Sequence, residues 1–315
     1  MRTMIRYFAG ALLLGAVGCD RPGPIEVIHD DAREPIQVNY LLGRESGNDS
    51  LVVTSEAETQ FDLTGVLQTE DEVYPATMVV NGIESEFNGT KTQQSLSRVV
   101  LQDKSSPDSV VGNFGRFVKY QHLNVGNVRV NGTELDKEEV ILQIRSSSNP
   151  IVRNGVLYKL LTQAFSQSKE FDWRPNLDYA VAADGKAGIH EFTKIIDSPD
   201  KVTLTNPKPY SLVFADEDLT LRWRGKSGES VVAVISFYDE AQKRVGRPIM
   251  ELKTSSSTNA MLIPTKLLGL IPKTSNGKYV ITLISANRKE VTVDGYSGRV
   301  LVQSASIHNV AVTLK

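Results

Sequence analysis

Short runs of alternating or β-branched apolar residues, bounded by Gly, Pro, Asn or Asp, recur along most of the chain, and this two-residue period predicts β-strands. Gln37-Val38-Asn39-Tyr40-Leu41-Leu42, Ser50-Leu51-Val52-Val53-Thr54 and Thr77-Met78-Val79-Val80 are such runs. Two Asn-Gly pairs stand between strand-like segments. Asn81-Gly82 precedes Ile83-Glu84-Ser85-Glu86-Phe87, and Asn131-Gly132 separates Asn127-Val128-Arg129-Val130 from Thr133-Glu134-Leu135. Asn-Gly tolerates positive φ at both central positions of a type I′ turn, so each pair predicts a tight hairpin. The pairs lie 50 residues apart, but nothing else aligns at that offset, so they read as two independent hairpins. One segment departs from the β pattern. Between Arg153 and Ser168, Val156, Leu157, Leu160, Leu161, Ala164 and Phe165 recur at helical spacing, behind Pro150 and with Asn154 as N-cap. This predicts an amphipathic helix packed on the sheet of a first domain. Lys159 and Lys169 are too few for a membrane-surface helix.

The turn-rich stretch Ile195-Ile196-Asp197-Ser198-Pro199-Asp200 marks a domain boundary. From Val202 to Leu314, seven strand-like segments in about 110 residues have the spacing of a β-sandwich. Alternation in Asp218–Arg224 puts Leu219, Leu221 and Trp223 on one face, and so places Trp223 in the sandwich core. Downstream stand Leu267-Leu268-Gly269-Leu270-Ile271-Pro272 and then Gly277-Lys278-Tyr279-Val280-Ile281-Thr282-Leu283-Ile284-Ser285-Ala286-Asn287. These two runs resemble the E–F corner and F strand of fibronectin type III domains, with Lys273 to Asn276 as an insertion. The resemblance covers about a third of the chain. It implies an immunoglobulin-like sandwich with Trp223 as the strand-B tryptophan and Tyr279 as the corner tyrosine, hydrogen-bonded to nearby backbone. It is silent on activity.

The N-terminus has a different pattern. Arg2 and Arg6 precede an eleven-residue apolar stretch, Tyr7 to Val17, and then Gly18-Cys19-Asp20. A positive start, a short apolar run and small residues before a cleavage point predict a secretory signal over residues 1–18. Leu14-Gly15-Ala16-Val17-Gly18-Cys19 resembles a bacterial lipobox, with Ala16 where leucine is commonest. The resemblance implies lipidation of Cys19 with diacylglycerol and palmitate, on the inner or outer membrane, facing the periplasm or the surface. Asp20-Arg21-Pro22-Gly23-Pro24 then reads as an extended tether, giving residues 19–24 as the link to the folded part. Cys19 is the only cysteine, so disulfides and thiolate metal sites are excluded from the remainder.

The chain therefore reads as mainly β. A β-rich domain over 25–197, with one helix near 153–168, is followed by a fibronectin type III or immunoglobulin-like β-sandwich over 198–315. Charge is nearly balanced, with 35 Lys+Arg against 37 Asp+Glu, which points to no nucleic-acid partner and no polybasic membrane patch. No later apolar run reaches the ~18 residues of a transmembrane helix.

The four histidines, His29, His122, His190 and His308, lack metal-site spacing, so no metal and no cofactor is expected. Gly225-Lys226-Ser227 lacks the upstream glycine of a phosphate loop, and Gly-x-Ser-x-Gly does not occur. Acidic clusters at Asp30-Asp31, Glu70-Asp71-Glu72, Glu138-Glu139 and Asp216-Glu217-Asp218 read as solvated turns. Phe171, Trp173 and Tyr179 lie in a polar, proline-bearing stretch. They read either as a loop anchor under the first domain or as a stacking surface for a sugar or peptide. Two function classes follow: a lipid-anchored envelope protein that binds an envelope protein or polysaccharide without catalysis, or an envelope polysaccharide hydrolase with an unassigned carboxylate pair.

Overall fold

The computed structural model describes residues 25–27, 36–41, 51–53, 74–87, 89–112, 115–144, 151–163, 171–226, 230–239, 244–255 and 257–315. The signal segment 1–18, Cys19 and the tether 19–24 lie outside the described residues.

Among the described residues, thirteen strands hydrogen-bond into one sheet. It opens with β1 (Ile25–Val27), β2 (Ile36–Tyr40), β17 (Arg244–Thr254), β16 (Val231–Asp239), β19 (Lys278–Val291) and β20 (Val300–Leu314). It continues through β4 (Ala76–Phe87), β5 (Thr90–Gly112), β6 (Gly115–His122), β10 (Ile151–Gln163), β9 (Asp136–Ile144) and β3 (Leu51–Val53). The short β14 (Leu212–Val213) pairs in parallel with the end of β20. Two smaller sheets are also formed by the described residues. One has the order β12 (Phe192–Asp197), β11 (Asp178–Ala183), β7 (Val128–Val130), β8 (Thr133–Glu134). The other has the order β13 (Thr203–Asn206), β15 (Leu219–Arg224), β18 (Ala260–Ile263). A single helical turn, α1 (Thr265–Leu268), follows β18.

Strand alternation sorts the apolar residues into two cores on one face of the large sheet. In the first, Tyr279, Ile281 and Leu283 of β19 and Val310 and Val312 of β20 pack with Leu221, Trp223, Met261 and Ile263 of the three-stranded sheet. This pairing of β13-β15-β18 with β17-β16-β19-β20 is compatible with an immunoglobulin-like fold. In the second, Met78, Val80, Val99, Leu101, Tyr158, Leu160, Val300 and Val302 meet Val128, Val130, Tyr179, Val181 and Ile196 of the four-stranded sheet. The boundary after Asp197 falls between β12 and β13, so it separates the two small sheets. The large sheet crosses it, because β20 pairs in parallel with β4 from Val300↔Ala76 to Val310↔Glu86. Strand β20 serves both cores. The opposite face carries a third cluster that includes Ile83, Leu96, Val232, Ile284 and Ile307.

Two sequence expectations are corrected. The helix expected near 153–168 is strand β10 as far as Gln163, and residues 164–168 lie outside the described residues. Val156, Leu157, Leu160 and Leu161 fit a helical stripe over so short a window, but Tyr158, Leu160 and Thr162 also alternate and are buried. Pairing decides the matter, since β5 and β9 flank β10 and satisfy its backbone on both sides. The hairpin expected at Asn81-Gly82 is likewise absent, and both residues lie inside the continuous β4. A Cβ on Gly82 would come within 2.2 Å of the Trp173 ring, so this glycine makes room for an indole and does not form a turn. At the second Asn-Gly pair the expectation holds: Asn131 (φ 48°) and Gly132 (φ 83°) join β7 to β8 in the left-handed conformations of a type I′ turn.

Trp223 is 5% exposed within the first core, so Trp223→Ala should cost about 3–5 kcal/mol. Because β20 belongs to both cores, denaturation of the whole chain followed by tryptophan fluorescence and by far-ultraviolet circular dichroism should give coincident curves. In the variant both should shift together. Two resolved transitions would show that the cores unfold independently.

Candidate functional site

Between the two cores, the inward face of β20 turns polar. Val300 and Val302 belong to one core and Val310 and Val312 to the other, while Ser304, Ser306 and His308 lie between them, all buried. Two segments cross the sheet here, and β20 ties down their backbone and side-chain donors. Trp173 donates its indole N–H to Ser304 Oγ (3.0 Å) and its backbone N–H to Ser95 Oγ (2.8 Å). The Ser304 hydroxyl in turn donates to the Val80 carbonyl (2.6 Å). Further along, Val202 N–H donates to Ser306 Oγ (3.0 Å) and Leu204 N–H to His308 Nδ1 (3.1 Å). The chain passing from one small sheet to the other is thus hydrogen-bonded to every second residue of one strand.

Beside His308 lies a buried ionic cluster. Glu84 is 4% exposed, and its Oε2 accepts from Lys201 Nζ (2.7 Å) and Gln93 Nε2 (3.0 Å). Lys91 Nζ stands 2.6 Å from Glu84 Oε1. Burial alone raises the Glu84 carboxyl, but hydrogen bonds from His308, Lys201, Lys91 and Gln93 outweigh it and hold the group far below its ordinary range. The same contact with Glu84 raises the Lys91 ammonium, against a smaller opposing effect of burial.

Glu84, Glu86 and His308 offer three ligand atoms within 4.8 Å of one another, so the cluster must be tested as a cation site. The imidazole argues against it. Leu204 N–H points at Nδ1, which places the ring proton on Nε2, 3.3 Å from Glu84 Oε1 and 3.4 Å from Glu86 Oε1. A cation would need the Nε2 lone pair and would send that proton to Nδ1, against the Leu204 N–H. Lys91 and Lys201 already supply the positive charge. Chemically the arrangement is an ion-pair clasp between β4, β20 and the crossing segment.

The aromatic residues singled out in the sequence sit near this seam, on its second-core side. Phe171 and Tyr179 are 6% and 1% exposed and meet edge to face, with ring centroids 5.8 Å apart. The Tyr179 hydroxyl accepts from Arg174 N–H (2.5 Å). Trp173 is half-buried against the same core, over Gly82. All three anchor the crossing loop. Trp223 and Tyr279 lie in the first core, where the Tyr279 hydroxyl donates to the Pro272 carbonyl and accepts from Thr274 N–H (3.1 Å).

His122 is buried 3.1 Å from Gln102 Nε2, His190 is exposed, and His29 lies outside the described residues. Of the acidic clusters, Asp218 caps α1 by accepting from Thr265 N–H (2.8 Å), while Asp30-Asp31 and Glu70-Asp71-Glu72 lie outside the described residues. Sequence reasoning missed Glu84 and His308. No local signal marks them, because 224 residues separate two positions that pair directly in the sheet.

A shallow recess lined by Asp200, Val202, Trp223, Lys226 and Ser285 opens to solvent over about 170 Å³. No protein-family model matches the chain, and no curated protein matches it either.

Glu84→Gln removes the buried partner of two half-exposed lysines and should destabilise the chain by about 1–3 kcal/mol at neutral pH. The folded-state value of Glu84 lies below its ordinary 4.5, so the stability it adds is present above that pH and is lost as pH falls below it. The denaturation midpoint should therefore drop on acidification below about pH 5 in the parent and less steeply in Glu84→Gln. Trp173→Ala should cost about 3–5 kcal/mol through lost packing on Gly82. An unchanged melting temperature with lost binding to an envelope glycan or protein would instead assign Trp173 to a ligand surface.

Proposed function

We propose that the chain is a lipid-anchored protein of a bacterial cell envelope, acylated at Cys19, with a non-catalytic binding or structural role toward an envelope protein or polysaccharide. The observation that carries the non-catalytic reading is the state of the buried acid–histidine cluster. Both Glu84 oxygens are ion-paired to lysines of the chain, His308 Nδ1 accepts from Leu204 N–H, and His308 Nε2 is buried 3.3 Å from Glu84 Oε1, so the cluster ties strands together and is closed to a substrate.

The unit over 198–315 is a fibronectin type III-like module in this reading. Its support is the strand order of the two facing sheets, Trp223 in the core between them, and a Tyr279 hydroxyl bonded to backbone five and seven residues upstream. Such a module serves as a rigid spacer or docking surface. The anchor reading rests on the lipobox-like run ending at Cys19.

Cells expressing the protein should incorporate labelled palmitate into it, and Cys19→Ser should abolish the label while leaving the polypeptide detectable. Label retained by Cys19→Ser would overturn the anchor.

A further inference from the structure

Two similar hydrogen bonds hold the crossing segment to β20, and they differ in one respect. Val202 N–H donates to a hydroxyl, Ser306 Oγ (3.0 Å), whose ability to accept does not change with acidity. Leu204 N–H donates to an imidazole nitrogen, His308 Nδ1 (3.1 Å), which accepts only while it carries no proton. Imidazole is the side chain whose charge ordinarily changes between about pH 5 and about pH 8. One of the two bonds is therefore conditional.

Among the described residues, the charged groups that face the ring come from three elements. Glu84 and Glu86 of β4 lie 3.3 and 3.4 Å from Nε2. Lys91 of β5 and Lys201 of the crossing segment pair with Glu84, and Lys91 also stands 3.7 Å from Glu86. On the β19 side the neighbour is Leu283, which is apolar and buried. Two carboxylates thus meet two ammonium groups, and a neutral ring leaves the cluster balanced. The ring is 1% exposed, so a second proton adds a buried charge and meets the Leu204 N–H head-on. Both carboxylates lie on the Nε2 side, where they hold the imidazolium once it forms. The ring then stays in place, and the Leu204 N–H is the group that has to leave.

Leu204 belongs to β13, an edge strand whose partner in the three-stranded sheet is β15. That pairing is itself interrupted by an irregularity between Leu204 and Asn206. The bonds from Val202 and Leu204 fasten the start of β13 to the large sheet. With the second of them gone, the link between the two small sheets loosens from Thr203 onward.

We propose that His308 is a pH-sensitive catch on the link between the two small sheets: neutral, it holds Leu204; protonated from solvent at Nδ1, it pairs with Glu84 and Glu86 and lets Leu204 go. The bond is present at the upper end of the pH range and is lost as pH falls. The loosening is local, since β13 keeps β15 and Val202 keeps Ser306. This regulation is independent of acylation at Cys19 and of the ligand the protein binds.

The test compares amide hydrogen exchange at Leu204 and Val202 in the full chain between about pH 8 and about pH 5, corrected for the intrinsic pH dependence of exchange. The ring nitrogens of His308 are followed over the same range by nitrogen nuclear magnetic resonance. Nδ1 should be bare at the upper end and gain a proton on acidification. Protection at Leu204 should fall along the same curve while that at Val202 holds. His308→Gln supplies an amide oxygen for Leu204 and an amide N–H for the carboxylates without titrating, so in that variant protection at Leu204 should stay level.

Four results would each overturn the proposal: protection lost at Leu204 and Val202 together, a ring that stays neutral throughout, a ring that takes the proton while Leu204 stays protected, or the same acid response in His308→Gln. If His308→Gln does not fold, the contrast between Leu204 and Val202 in the parent chain, read against the ring signals, decides the matter.

Discussion

The whole architecture depends on the parallel pairing of β20 with β4. Without it there would be a sandwich and a separate β-rich unit; with it there is one sheet serving two cores. A parallel ladder is slightly weaker per residue than an antiparallel one, and here it joins segments 224 residues apart, so chain-closure entropy opposes it as well. Side chains on both faces reinforce the joint. On one, Ser304, Ser306 and His308 bind the crossing segments. On the other, Thr282 donates to Asn309, which donates to Ser85. A slip of one residue would turn these groups to the wrong faces, so the polar contacts define the register that apolar burial alone would leave loose.

The ionic cluster follows the same logic. A carboxylate as buried as Glu84 is costly unless its oxygens are satisfied, and it gathers donors from β5, from β20 and from the segment leading to β13. Those three sources are the elements that have to meet at the seam. Removing one partner would leave a buried charge uncompensated, so the cluster penalises partial assembly more than it rewards the complete one.

Features set by neighbours in sequence were readable before the structure. The alternation through Leu219, Leu221 and Trp223, the backbone-bonded Tyr279 and the Asn131-Gly132 turn all depend on a few adjacent residues. Features set by distant partners were not. Leu157, Leu160 and Leu161 support either period until β5 and β9 take up the backbone on both sides. Asn81-Gly82 looks like a turn until Trp173 arrives from 91 residues away to lie on the glycine. Glu84 and His308 resemble ordinary polar residues because their meaning lies in the pairing of β4 with β20. The aromatic loop fell between these cases, since composition identified Phe171, Trp173 and Tyr179, and only packing shows them turned toward the core.

The position of β20 in the sequence also bears on timing. Val300–Leu314 follows every other strand of the described structure, yet supplies side chains to both cores. While the chain is being made, β4 has no neighbour on one side, and the seam has no serines or histidine to receive Trp173, Val202 and Leu204. Neither half can close early. A polypeptide that stops short of β20 therefore keeps open sheet edges and half-built cores, the state that proteases and chaperones recognise, and only the complete strand removes it.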